Sequence, residues 1–196
     1  VEHVKQIRPS YPGRNVELTI DKRIQYIAYR ELKAAVLAHG AVAGTMVVLN
    51  PRNGEILALV NQPSFNPNNR EELKGDYYRN RAVTDVFEPG STIKPFTIAA
   101  GLESGQYQSN TDIDTAPGFF KVGKHVVSDS KNFGLLTIAG VIEKSSNVGA
   151  RKVAVSMEPE VQWRTLRAVG LGSRTDVSFP GEGYSKLKEY VYWLDI

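Results

Sequence analysis

The chain contains no cysteine. That excludes a disulfide framework and a thiolate metal site, and it is compatible with the cytoplasm or an envelope compartment. Histidine is scarce: His3, His39 and His125 are far apart and show no ligand spacing, so surface or structural roles are expected and no metal. No apolar run approaches the ~18 residues of a membrane span, and no signal-peptide pattern opens the chain. Charge of one sign is also missing. The 24 Lys and Arg are interleaved with 21 Asp and Glu, a net charge of +3 that does not point to nucleic acid. There is no internal repeat and no low-complexity segment. What is present is 196 residues, 41% hydrophobic, enough for a substantial core in one large domain or a piece of something bigger. A start on Val1 rather than Met suggests an excised fragment.

Local patterns sketch the fold. Residues 1–14, with Pro9 and Pro12-Gly13, read as a linker. Asn15 to Ile20 alternates and predicts a strand. Asp21 then caps a helix to about His39, with Ile24, Ile27, Ala28, Leu32, Ala35 and Val36 on one face and Gly40 as its stop. Apolar runs 44–49 and 55–60 flank Asn50-Pro51-Arg52-Asn53-Gly54, a hairpin signal. The polar stretch 61–85 is long for a structureless connection and hints at a functional loop, ordered by Arg79, Arg81 and Asp85 or simply solvated. Further on, Phe119–Val122 and His125–Val127 bracket Gly123-Lys124 as a small hairpin. Helices are expected over 135–143, 148–157 and 160–169, the last stopped by Gly170. Together these predict an α/β fold of the α+β type, an antiparallel sheet packed by helices.

The chemistry concentrates at Phe87-Glu88-Pro89-Gly90-Ser91-Thr92-Ile93-Lys94-Pro95-Phe96. A Pro-Gly turn leads into an apolar segment that reads as a buried helix. Ser91 and Lys94, three apart, share one face with Cβ atoms roughly 5–6 Å apart. Pro95 fits a helix start, because it has no N–H to donate. A serine hydroxyl is a weak nucleophile until a base takes its proton, and a neutral lysine can be that base. Bringing Lys94 from about 10.4 towards neutrality requires roughly 4 kcal/mol. The helix dipole supplies about 0.3–1 kcal/mol, so burial must do most of it. Ser-x-x-Lys alone is weak: it recurs at Ser128…Lys131 and Ser185…Lys188 without the turn or the apolar helix. A second cluster, Ser145-Ser146-Asn147, interrupts two helical segments with short polar side chains that favour turns. Such a turn can cap a helix, or it can present a hydroxyl to relay a proton and an amide to hold a substrate. Ser-x-Asn also recurs at Ser64…Asn66 and Ser130…Asn132.

In combination, Glu-Pro-Gly-Ser-Thr-Ile-Lys-Pro followed some fifty residues later by Lys-Ser-Ser-Asn-Val-Gly resembles the penicillin-binding proteins. Residues 66–69, 79–82, 85–91 and 170–172 look like the class B, division-specific type, and the likeness runs from about Asn15 to about Glu182. The resemblance implies the penicillin-binding protein/serine β-lactamase-like transpeptidase fold, incomplete at its C-terminus: a linker over 1–14, a partial transpeptidase domain over 15–182 and an unmatched tail over 183–196. It implies a serine-type D,D-transpeptidase. Ser91 would be the nucleophile, Lys94 its base and Ser145 a proton shuttle, with Asn147 on the acyl-side amide and the Ser91 N–H as half of the oxyanion hole. The implied partners are D-Ala-D-Ala stem peptides, β-lactams as covalent ligands and, for a full-length parent, membrane proteins of the division machinery. The implied place is the periplasmic face of the bacterial inner membrane, and no metal or organic cofactor is needed.

One departure stands out. No Lys-Thr-Gly or Lys-Ser-Gly occurs, and the nearest string, Lys121-Val122-Gly123, lies between the other two motifs rather than after them. A truncated domain with poor or no turnover is therefore expected. Two further readings follow: a non-catalytic scaffold or β-lactam-binding fragment, and a serine β-lactamase or D-Ala carboxypeptidase that sends the acyl group to water.

Overall fold

The computed structural model describes residues 11–69 and 75–193. His3, most of the 1–14 linker and the last three positions of the 183–196 tail lie outside the described residues. The chain divides into two compact units, 1–82 and 83–196.

The first unit is built on one long helix and a hairpin. Helix α1 (Lys22–Ala38) starts where the Asp21 carboxylate accepts the N–H groups of Arg23 and Ile24, and His39 closes it. Strands β1 (Gly44–Leu49) and β2 (Ile56–Gln62) pair antiparallel with an irregularity at Val48/Leu49. Ala28 and Leu32 pack on Ala58 and Val60. Ile27 is exposed, as is Ala35, contrary to the predicted six-residue face. Two strands offer the helix only a narrow strip to bury. The predicted strand over 15–20 does not form. From 15–21 the Thr19 hydroxyl reaches β2 at the Ile56 carbonyl, and of the backbone N–H groups only that of Asp21 does, at the Leu57 carbonyl; Val16 and Leu18 are exposed, so neither a ladder nor a buried face supports it. The described residues of the 61–85 stretch include a 3₁₀ turn (Gly75–Tyr78) and a helical turn α2 (Arg81–Thr84), which spans the boundary of the two units. Asn61 ties it to β2: its Nδ2 donates to Asn80 Oδ1 and its Oδ1 accepts the Ala82 N–H, each at 2.9 Å.

The second unit is centred on α3 (Lys94–Glu103), with α4 (Ile138–Glu143), α5 (Asn147–Ser156) and α6 (Pro159–Ala168) around it. Ile98, Ala100, Ile138, Val141, Val153 and Met157 belong to one core cluster. Strand β3 (Asp112–Asp114) pairs antiparallel with β6 (Leu135–Thr137), and β4 (Phe119–Val122) with β5 (His125–Ser128). The predicted helix over 135–143 is thus split. Leu135 to Thr137 is strand, with Leu136 opposite Ile113, and the helix begins only after Thr137, whose hydroxyl accepts the Gly140 N–H.

Gly149 shows how closely α4 and α5 approach. A Cβ there would stand 2.5 Å from Val141 Cγ2 and 3.1 Å from Ser146 Oγ. Val141 is fully buried and has nowhere to retreat. Gly149→Ala gains roughly 1 kcal/mol of helix propensity but overpacks by more. A net loss of about 1–2 kcal/mol is expected, read as a lower urea midpoint at unchanged slope. An unmoved midpoint would mean a looser α4–α5 contact.

Candidate active site

Every residue of the candidate site belongs to the second unit. Gly90, with φ +56°, takes a left-handed conformation that glycine adopts without penalty, and a 3₁₀ turn (Gly90–Ile93) follows. Ser91 therefore lies just before α3, not on it. Pro95 has no N–H to give the Ser91 carbonyl, and the Lys94 N–H donates to that carbonyl instead. Ser91 is exposed, and its Oγ makes no hydrogen bond among the described residues.

Lys94 opens α3 and is only 9% accessible, so its amine is no free surface cation. Its Nζ donates to the Ser145 carbonyl at 2.5 Å and to Ser145 Oγ at 3.0 Å, joining positions fifty-one residues apart. Burial pushes the Lys94 pKa below its ordinary value, and the Asp129 carboxylate pulls the other way. An amine that sheds its proton more readily than an exposed lysine is the result.

Ser145 sits at the end of α4 in an unusual backbone state. Its N–H donates to the Ile142 carbonyl and the next N–H, of Ser146, to Val141, the paired bonds of a Schellman helix end. The residue between helix and exit in that motif is left-handed, usually glycine. Here it is Ser145, at φ +52°. A side chain retained at such a position costs of order 1 kcal/mol or more and calls for a functional reason. The Ser145 hydroxyl accepts from Lys94 Nζ, a contact glycine could not make. Ser146 then begins α5, its Oγ accepting the Gly149 N–H at 2.8 Å. Asn147 is exposed, and its Nδ2 donates to the Ser128 carbonyl at 2.8 Å. One amide hydrogen and the Oδ1 of Asn147 remain for a ligand.

The structure thus brings Lys94 and Ser145 into contact, with Ser91 one turn before Lys94 and Asn147 two residues beyond Ser145. The recurring patterns do not repeat this. Lys131 lies over the Phe133 ring at 5.6 Å, and Ser185 Oγ accepts the Gly172 N–H in a loop. Lys121-Val122-Gly123 leads into the turn between β4 and β5. His39 closes α1 and His125 opens β5. Among the described residues no group of acidic or imidazole side chains could hold a metal. One residue of the cluster went unread in the sequence: Asp129, whose carboxylate accepts from Ser146, Asn147 and Val148. Its only local sign is a lone acid between two serines after a strand, too common to single out.

These features coincide with a known family. The penicillin binding protein transpeptidase domain matches residues 44–196, and the chain belongs to that family. It is 41% identical over 196 residues to the probable peptidoglycan D,D-transpeptidase PbpC of Pseudomonas aeruginosa, covering 100% of this chain and 35% of that protein. It is 38% identical over 187 residues to the peptidoglycan D,D-transpeptidase FtsI of Escherichia coli K12, covering 95% of this chain and 32% of that one. Among solved structures, the transpeptidase domain of Burkholderia pseudomallei penicillin-binding protein 3 superimposes with a TM-score of 0.80 at 42% identity, covering 93% of this chain and 51% of that one. A peptidoglycan glycosyltransferase from Burkholderia ambifaria gives 0.80 at 44% identity, covering 90% and 52%. The chain spans about a third of the length of the two curated relatives named here. The transpeptidase fold expected from the motifs is the one found, with α-helices and antiparallel strand pairs. No described helix is long and apolar enough to cross a membrane.

Proposed function

We propose that the chain carries the acylation half of a serine D,D-transpeptidase acting on peptidoglycan stem peptides. The observation that carries this reading is the buried amine of Lys94, held by Ser145 within one turn of Ser91. Neutral Lys94 takes the proton of Ser91 as Oγ attacks the penultimate D-alanine carbonyl. The Ser91 N–H, in the first turn of its segment, donates to the oxyanion, an interaction worth roughly 2.7–4 kcal/mol. Ser145 relays the proton from Lys94 to the departing D-alanine nitrogen. The C–N bond breaks, and an acyl ester remains on Ser91. A stem-peptide amine then displaces Ser91 and forms the cross-link. Asn147 pairs with the acyl-side amide of the substrate.

β-Lactams would acylate Ser91 as mimics of the same peptide. Resemblance to the division-specific class further supports a place at the periplasmic face of the bacterial inner membrane, among membrane proteins of the division machinery. Fluorescent penicillin tests the reading in the protein at its full natural length. Covalent labelling is expected, and Ser91→Ala should abolish it while leaving the melting temperature within a few degrees. Labelling that persists in S91A would place the nucleophile elsewhere, and a well-folded protein that never labels would favour the scaffold reading. Rapid hydrolysis of a chromogenic β-lactam would favour the β-lactamase one.

A further inference from the structure

Asp129 follows β5 and lies outside the Ser-x-x-Lys and Ser-x-Asn motifs. Its Oδ1 accepts the N–H groups of Asn147 and Val148, at 2.5 and 3.1 Å, and its Oδ2 accepts the Ser146 hydroxyl at 2.7 Å. That hydroxyl accepts the Gly149 N–H. One carboxylate and one hydroxyl therefore satisfy the first three N–H groups of α5, where negative charge also complements the helix dipole. Next to it in sequence, the Ser128 carbonyl holds the Asn147 side chain.

Capping alone would account for the bonds to Val148 and Ser146. It does not account for where the capped turn leads. The residue immediately before the gripped ones is Ser145, whose carbonyl and hydroxyl both receive Lys94 Nζ. Ser145 is left-handed without being glycine, a state that persists only when its surroundings hold it on both sides. The end of α4 holds it from before, through the Ser145 and Ser146 N–H bonds. Asp129 holds it from behind. The same carboxylate favours the charged form of Lys94 against burial.

We propose that Asp129 is a positioning residue of acylation, its carboxylate fixing the Ser145–Asn147 turn so that Ser145 Oγ stays on Lys94 and Asn147 stays turned to the substrate amide. The proposal rests on the acyl-serine reading above, and the test separates the two. In the protein at full natural length, acylation by fluorescent penicillin is followed over a range of concentrations. This resolves the limiting rate constant from the half-saturating concentration, and active-site titration counts the competent molecules. Per competent molecule, Asp129→Ala should lower the limiting rate constant about 10²-fold, the scale of a ~1 Å displacement of a reacting group. D129N, which keeps one acceptor and loses the charge, should fall in between. D129E should regain part of the loss.

A residue that only capped α5 would lower the melting temperature and the competent fraction, yet leave that rate constant within twofold for D129A. That result overturns the proposal. If D129A does not fold, D129N decides, and an unchanged rate constant in it is equally fatal. Absence of labelling in the unsubstituted protein would instead remove the acyl-serine reading and this inference with it.

Discussion

Methionine in place of Lys94 is expected to slow acylation of Ser91 by about 10²–10⁴-fold, the usual worth of a general base. The same substitution should leave stability unchanged or raise it by about 1 kcal/mol, because a desolvated amine gives way to an apolar chain of similar length. Ser145 loses a donor, but it is exposed and water can replace the bond. Arginine at 94 should fail nearly as badly, since a guanidinium keeps its proton and cannot act as base. Rates from stopped-flow labelling and midpoints from thermal melts check both halves.

The pH dependence follows with a definite sign. Burial lowers the Lys94 pKa below the ordinary 10.5, so the acylation rate should rise with pH along a limb centred below that value. The folded state binds this proton less tightly than the unfolded chain. Its stability penalty is therefore absent above 10.5, grows as pH falls towards the folded pKa, and is constant below it. K94M should lose the limb and the stability slope together. A K94M protein that acylates within a few-fold of the unsubstituted one would end the case for lysine as the base.

Ser145→Gly should separate stability from activity in the opposite way from most active-site changes. A left-handed L-residue costs roughly 1–2 kcal/mol, which glycine avoids. The greater freedom of glycine in the unfolded chain takes back roughly 0.5–1 kcal/mol. A net gain of about 0.5–1 kcal/mol is expected, together with a loss of about 10²-fold or more in acylation, because the hydroxyl on Lys94 is gone. Ser145→Ala supplies the control. It removes the same hydroxyl but keeps the left-handed strain, so it should be as slow as S145G and melt lower. Equal melting temperatures for the two would show that the position carries no strain.

Some of this was legible in the residues alone because short-range chemistry decides it. Asp21 and Gly40 bound α1 by capping, and Asn50 to Gly54 closes the β1–β2 turn. Neither needs a distant partner. Strands β3 and β6 do. At three residues each they have no readable period, and Leu135-Leu136 runs straight into the apolar residues of α4, so the strand hides in a helical pattern. The reverse error at 15–20 has the same root, since alternation says nothing about whether a neighbouring strand exists. Ser91 and Lys94 stand out by spacing and context. The contact from Lys94 to Ser145 spans fifty-one residues and came into view only through the family resemblance. Asp129 could not be found from either direction, because it caps a helix that begins eighteen residues later.

The proline beside Lys94 has no reactive atom, yet it governs the azimuth at which Ser91 stands relative to Lys94. In an α-helix, residues three apart are turned by about 300° around the axis; in 3₁₀ geometry they come full circle and eclipse. By withholding an N–H from the Ser91 carbonyl, Pro95 keeps the turn out of the α register, so the backbone positions of Ser91 and Lys94 fall near one meridian. A ring that only forbids a bond thereby sets where the serine stands.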